Sequence, residues 1–299
     1  MPKEPKTNAP AARDLASPPG HLYVVGTPIG NLEDITLRAL RVLKEVDLVA
    51  CEDTRRTRQL LDHYGITTPT ISYHEHNELM RAPELMIRME EGEDIALVSD
   101  AGMPLVSDPG FRLVKLAVRH NVTVIPVPGA SALVATLAAG GLPVEEFRFV
   151  GFLPAKRLAR QRFLHELKGE RALVFYESPQ RAAETLEDVL KVLGDRPVVL
   201  AREITKLHEE FLRGTVSEVL GRLKSKSVKG EVTILLGPPE NGVKRTEEIG
   251  FRSIQEELEQ SMSQGLSEKA ALKLLAKARG LSKSEAYRQW QSEKATSEQ

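Results

Sequence analysis

A chain of 299 residues is long enough for two domains and a small third. Its 41 basic and 42 acidic side chains leave a net charge of −1, so a polyanion must be met by a local patch and not by global charge. The single cysteine, Cys51, excludes an internal disulfide framework and fits a reducing cytoplasm, and no apolar run approaches the length of a membrane span.

Residues 1–20 combine Pro, Lys and Ala without an apolar stretch and read as a disordered leader up to about Gly20. His21 to Val25 then forms a strand that runs into Gly26-Thr27-Pro28-Ile29-Gly30-Asn31. Asp34 or Thr36 can cap a helix through about Lys44. Asp47 to Cys51 is a second strand, ending at Glu52-Asp53 before a helix to about Tyr64, with Gly65 as its stop. A third strand near Thr70 to Tyr73 leads to His74-Glu75-His76, then a helix to Glu91. Ile95 to Val98 is apolar at every position, as in a strand buried on both faces. It breaks at Ser99-Asp100-Ala101-Gly102, and Ser107-Asp108-Pro109-Gly110 leads into a helix from Phe111 to Arg119. Val122 to Val127 is a fifth strand, and Pro128-Gly129-Ala130-Ser131 precedes an Ala/Leu-rich helix to about Ala139. Alternating strands and helices with short connections specify a parallel sheet, with all five strand-end loops gathered at one edge.

Gly140-Gly141-Leu142-Pro143 marks a boundary, giving a first α/β domain over residues 21–141. The second, residues 142–238, begins with an aromatic strand, Phe147 to Phe152, and a basic helix start. Strands follow at 172–176, 197–201, 209–213 and 231–236, with helices at 181–193 and 216–224. Consecutive strands without a helix between them imply a mixed sheet. Pro238-Pro239 opens the last region, residues 239–299, a linker and small helical domain. Its helices are expected at 253–261, 267–279 and 282–290, two of them after Gly-Leu-Ser, a repeated capping signal that is compatible with a helix-turn-helix.

Five converging loops suit a nucleotide-like ligand, yet GxxxxGK[ST] and a strand-following GxGxxG are both missing. Asp100 and Asp108 could hold Mg²⁺, and His74 with His76 could ligate a metal, but no third ligand is spaced to complete a set. Hydrogen-bonding roles are favoured, and no metal is expected. Cys51 reads as a buried strand residue and not a nucleophile. Arg55, Arg56 and Arg58 open a helix, where cations oppose the helix dipole; Lys156, Arg157, Arg160 and Arg162 do the same in the second domain. Both groups suit an RNA backbone about as well as they suit a solvated surface.

Taken together, GHLYVVGTPIGNLEDIT, ACEDTRRTRQLL, SYHEHNE, SDAGMPLVSDPG, PGASALVATLAAGGLP, GFLPAK, FYESPQR and REITKLHEEFLRGT resemble a ribosomal RNA methyltransferase family within the tetrapyrrole-methylase superfamily. The resemblance is collinear from about His21 to Pro238, and the helical tail also resembles the family's C-terminal domain. It implies two α/β domains with S-adenosyl-L-methionine in the cleft between them, usually as a homodimer. The implied reaction is methylation of a cytidine ribose 2′-hydroxyl in the decoding region of 16S ribosomal RNA, within the 30S subunit. Carried over by motif, the cofactor contacts are Pro28, Asp100, Met103, Ser131, Ala132, Tyr176 and Val232. Glu203 and Lys206 are candidates for the proton-transfer step, with Glu52, His74 and Glu177 behind them; a structural ion pair is the equal alternative. A porphyrin or corrin methyltransferase and a non-catalytic ribosome-binding factor are the competing readings.

Overall fold

The computed structural model describes residues 18–169, 171–224, 229–239, 254–263, 265–278 and 281–297. Nearly all of the expected leader and most of the linker, residues 240–253, lie outside them. Residues up to Glu240 form one compact unit and those from Asn241 a second.

The first sheet is wholly parallel, in the order β3-β2-β4-β1-β5. Its strands are β1 (His21–Val25), β2 (Leu48–Cys51), β3 (Thr70–Ser72), β4 (Ile95–Val98) and β5 (Thr123–Val127). β2 and β4 are buried at every position because helices cover both faces. The two-residue alternation of strand side chains divides the core. Ile95 and Leu97 pack with Leu85 and Met89 of α3 (Glu78–Glu90) and Leu113 of α4 (Phe111–Arg119). Ala96 and Val98 pack on the opposite face with Val42 of α1 (Leu37–Glu45) and Leu61 of α2 (Thr54–His63). A 3₁₀ turn at Leu32–Asp34, capped by the Asn31 side chain, precedes α1, and of the two expected caps Thr36 is the one used: its hydroxyl accepts from Ala39 N–H at 3.1 Å.

The second sheet is mixed, in the order β6-β7-β10-β8-β9. β6 (Phe147–Phe152) runs parallel to β7 (Ala172–Glu177), whereas β10 (Val232–Leu236) runs antiparallel to both β7 and β8 (Pro197–Arg202). β9 spans Glu210–Thr215, one residue later than expected, because the Glu209 carboxylate is held in the preceding turn by Thr205 N–H at 2.7 Å. Helices α6 (Arg157–Glu166), α7 (Ala182–Leu193) and α8 (Val216–Lys224) bury one face of the sheet. The other face receives Leu133 and Leu137 of α5 (Ala132–Gly140), so a helix that follows the first sheet packs on the second.

The C-terminal unit consists of α9 (Ile254–Ser263), α10 (Glu268–Ala278) and α11 (Lys283–Ser297), packed around Leu258, Ala271 and Leu275 with Trp290 against them. Ser282 and Glu285 cap α11 reciprocally: Ser282 N–H donates to the Glu285 carboxylate at 2.9 Å, and Glu285 N–H donates to the Ser282 hydroxyl at 3.3 Å.

Candidate functional site

A parallel sheet places the carboxyl ends of its strands, and the loops that follow them, on one edge. In this protein those loops are tied to one another. Thr27 and Gly102 exchange backbone hydrogen bonds at 2.9 and 3.1 Å, and the Thr27 hydroxyl donates to Ser99 O at 3.1 Å. Gly26 and Gly129 meet backbone to backbone. A Cβ on Gly26 would lie 2.7 Å from the Gly129 Cα and 2.7 Å from the Met103 sulfur. Only glycine permits that approach.

Beside this knot is a cleft of about 390 Å³. One wall comes from the first sheet, with Ile29, the Ala101–Met103 and Val106–Asp108 segments, and Ser131 and Ala132. The other comes from the second sheet, with Phe152, the 176–179 turn and the 230–233 segment. Five residues expected at the cofactor therefore share one cavity: Met103, Ser131, Ala132, Tyr176 and Val232. Pro28 and Asp100 instead line an adjacent hollow of about 370 Å³, together with Thr27, Gly30, Arg56, His63 and Ser99. Asp100 is engaged there, accepting from Asp53 N–H at 3.0 Å and pairing with Arg56 at 3.2 Å.

The cleft is apolar over most of its lining, with two aromatic faces: Phe152, which is 58% exposed, and Tyr176, whose ring centroids lie 5.7 Å apart. Burial pushes the Tyr176 phenol above its ordinary value, and the Asp108 charge adds to the effect. Asp108 stands in the first wall. Burial, then the charges of Glu52 and Asp100, push its carboxyl up to about 6 against the relief given by the Ser99 hydroxyl. Burial also raises Glu52. Sequence reasoning singled out Asp108 only as a possible magnesium ligand; its raised pKa depends on burial and on Asp100 and Glu52, 8 and 56 positions away, and has no local signal. Among the described residues no group of three or more His, Cys, Asp or Glu side chains is arranged to hold a metal. His74 sits beside the Asn77 side chain, and Cys51 is buried with its thiol pushed up by burial.

Glu203 and Lys206 do come together, in a three-residue ion pair with Glu231. The Lys206 ammonium lies 2.9 Å from both carboxylates, and Glu231 N–H donates to Glu203 at 2.9 Å. Burial opposes both charges, but the Glu231 N–H and Lys206 hold Glu203 below the usual carboxylate range, while Glu203 and Glu231 hold Lys206 above the usual amine value. Glu203 is thus a weak base and Lys206 a firmly protonated one, which fits a strut more than a proton carrier. The Lys206 stem lies where a Gly30 side chain would be, so the strut ties the first loop to the second sheet. Glu177, a reserve candidate, is saturated. Its oxygens accept from Ser178 N–H at 2.7 Å, Arg181 Nε at 2.8 Å and the Thr185 hydroxyl at 2.7 Å.

The basic residues divide. Arg55, Arg56, Lys156, Arg157 and Arg162 are exposed. Arg58 is turned to the backbone, donating to Thr68 O at 2.8 Å. Arg160 corrects the expectation of a surface contact: it is fully buried, with Nε 2.8 Å and Nη2 2.6 Å from the equally buried Asp188. A basic side chain on α6 met an acidic partner on α7, which spacing within either helix does not reveal.

The model of the tetrapyrrole (corrin/porphyrin) methylases matches residues 21–220, which hold all of the cleft lining except the 230–233 segment. The chain belongs to the tetrapyrrole methylase family. Within it, the chain is 47% identical to a ribosomal RNA small subunit methyltransferase I of Halalkalibacterium halodurans, over 90% of this chain and 93% of that one. It is 50% identical to the protein of the same name from Thermotoga maritima, over 74% of this chain and all of that one. Solved methyltransferase structures share the fold: the methyltransferase CobJ superposes with a TM-score of 0.56 at 19% identity, over 73% of this chain and 94% of that one. A uroporphyrin-III C-methyltransferase of Thermus thermophilus, complexed with S-adenosylhomocysteine, gives 0.51 at 22% identity, over 73% of this chain and 97% of that one.

Proposed function

We propose that this protein methylates the ribose 2′-hydroxyl of a cytidine in the decoding region of 16S ribosomal RNA, using S-adenosyl-L-methionine and acting on the 30S subunit in the cytoplasm. The observation that carries the reading is the cleft, where five motif residues of the ribosomal RNA methyltransferases line one cavity between the two sheets. Its volume, about 390 Å³, is that of a small-molecule site. The chemistry of the lining fits the donor: apolar Met103, Val106 and Val232 suit the methylene groups beside its sulfur, and the faces of Phe152 and Tyr176 suit a purine. S-Adenosylmethionine, when bound, supplies a methyl group already activated on a sulfonium sulfur. The chain's task is to hold the acceptor hydroxyl in line, exclude water and receive a proton.

The acceptor is read from the surface. Exposed Arg55, Arg56, Lys156, Arg157 and Arg162 suit a phosphate backbone, for which a small macrocycle has no need. α3 and α4, which pack together, expose Leu79, Met80, Phe111 and Val118, apolar surface that supports a homodimer. The test is transfer of radiolabelled methyl to 30S subunits lacking the modification, beside Ala132→Leu, which fills the cleft. Label resistant to alkaline cleavage at one cytidine, and lost in the variant, is expected. Label on a base, or on no RNA while the donor binds, overturns the reading.

A further inference from the structure

The reaction needs a group to accept the ribose proton, and the cleft offers three carboxylates: Asp108, Glu177 and Glu231. Glu177 has its oxygens filled by three donors, as described above. Glu231 is held by Lys206 and lies largely in solvent, its side chain 74% exposed. Asp108 is different. Among the described residues no cation pairs with it, and it is half-buried in the cleft wall beside Met103 and across from Tyr176.

The backbone around it is built for a fixed position. Leu105 and Ser107 adopt φ of 70° and 68°, a left-handed conformation that costs about 1 kcal/mol or more for a residue with a side chain. Leu105 is anchored in the core beneath the first sheet, and Ser107 abuts Gly151 in the irregular part of β6. Pro109 stiffens the chain on the other side. The loop therefore touches both sheets and holds Asp108 in the cleft wall, and strained backbone of this kind gathers at functional sites.

We infer that Asp108 is the general base that receives the acceptor hydroxyl proton, an assignment that rests on the function proposed above. As the ribose O–H bond breaks, the proton passes to an Asp108 carboxylate oxygen and the oxygen's electron pair forms the new O–CH₃ bond. The C–S bond breaks with its pair going to sulfur, so a sulfonium becomes a neutral thioether. Protonated Asp108 then returns its proton to water. The groups that face this carboxylate set its basicity. Glu52 at the end of β2 and Asp100 after β4 raise it, Arg56 neutralises part of the Asp100 charge, and the Ser99 hydroxyl lowers it. From the second sheet come neutral Tyr176 and the already compensated Glu177 and Glu231–Lys206 pair. A carboxylate poised near 6 remains ionised at neutral pH yet is a stronger base than an ordinary one.

The test combines a reaction, a binding and a spectroscopic measurement on Asp108→Asn and Asp108→Glu in the full chain. With 30S subunits and saturating donor, single-turnover transfer by D108N should fall about 10²- to 10⁴-fold, and D108E should recover part of it. The wild-type rate should rise with pH through an inflection near 6 that D108N lacks. Calorimetric affinity for S-adenosylhomocysteine should change by less than about threefold. Carboxyl ¹³C NMR of the free protein should show one aspartate titrating near 6, missing in D108N. Unchanged transfer in D108N overturns the assignment alone. So does a D108N whose rate is restored by excess donor while its S-adenosylhomocysteine affinity collapses, since Asp108 would then bind the cofactor. A wild type that binds donor but labels no RNA overturns the substrate reading, and this assignment with it.

Discussion

Replacing Arg160 by methionine removes a buried charge from between α6 and α7. The guanidinium lies 2.6 and 2.8 Å from Asp188, 3.0 Å from Glu184 and 3.3 Å from the Ala155 carbonyl, with both Arg160 and Asp188 fully inaccessible. Deleting one partner of such a pair costs about 3–5 kcal/mol, because the other charge stays desolvated. Asp188 would keep Arg157 Nε at 3.0 Å and Gln161 Nε2 at 2.6 Å, so the loss should fall at the low end, about 3 kcal/mol. Adding Asp188→Leu removes the stranded carboxylate and should return the double variant to within about 1 kcal/mol of the wild type. Urea unfolding followed by circular dichroism at a constant m-value reads both numbers. The salt dependence of RNA binding should be the same in R160M, since a buried arginine neutralises no phosphate. A loss below about 1 kcal/mol, or a shallower salt slope at unchanged stability, would refute the structural role.

Two further outcomes follow from the site. A carboxyl raised on folding destabilises the ionised native state; the penalty is absent below the unfolded value of 3.8 and complete above about 6. Asp108→Asn should therefore be the more stable protein at high pH, by about 1 kcal/mol once solvent screening is allowed for. Thermal melts should show that gap closing on acidification, and a D108N less stable at high pH would contradict the shift. Gly26→Ala should lose about 1–3 kcal/mol and weaken S-adenosylhomocysteine binding about tenfold, since backbone and the Met103 sulfur occupy the space its Cβ needs. Gly221→Ala in α8, whose Cβ meets nothing within 4 Å, should gain about 0.5–1 kcal/mol and serves as the control.

The strands were legible because both sheets are buried on two faces, so apolar runs such as Ile95 to Val98 and Val232 to Leu236 stand out against polar helices. The parallel first sheet followed from its alternation with helices, and the gathering of its loops followed from the sheet. Strand order was not legible: β10 enters between β7 and β8 although it is last in sequence, and nothing local records that choice. In the site, Met103, Ser131, Ala132, Tyr176 and Val232 came from motif resemblance, and the structure brings all five to one cleft. The chemistry of individual charges was hidden, because it depends on partners distant in the chain. Arg160 looked like its neighbours Arg157 and Arg162; Asp188 of α7 meets Arg157 as well, but Arg160 alone of the three is buried. For Glu203 and Lys206 the sequence left proton transfer and a structural ion pair equally open, and the third member of their ion pair, Glu231, lies 25 and more positions away.

The place of β10 has a consequence for synthesis. All five strands of the first sheet are contained in residues 21–127, so that sheet can assemble while later residues are still being translated. The second cannot. β7 and β8 are separated by the strand that pairs with both, and that strand ends at Leu236. A nascent chain paused before it holds two apolar strands whose inner edges have no partner, and such edges invite association with other chains. The segment that closes this gap also carries Val232 and Thr233 into the cleft. Completion of the sheet and completion of the ligand pocket are thus one event, and a chain released early can fold half of itself without acquiring a binding site.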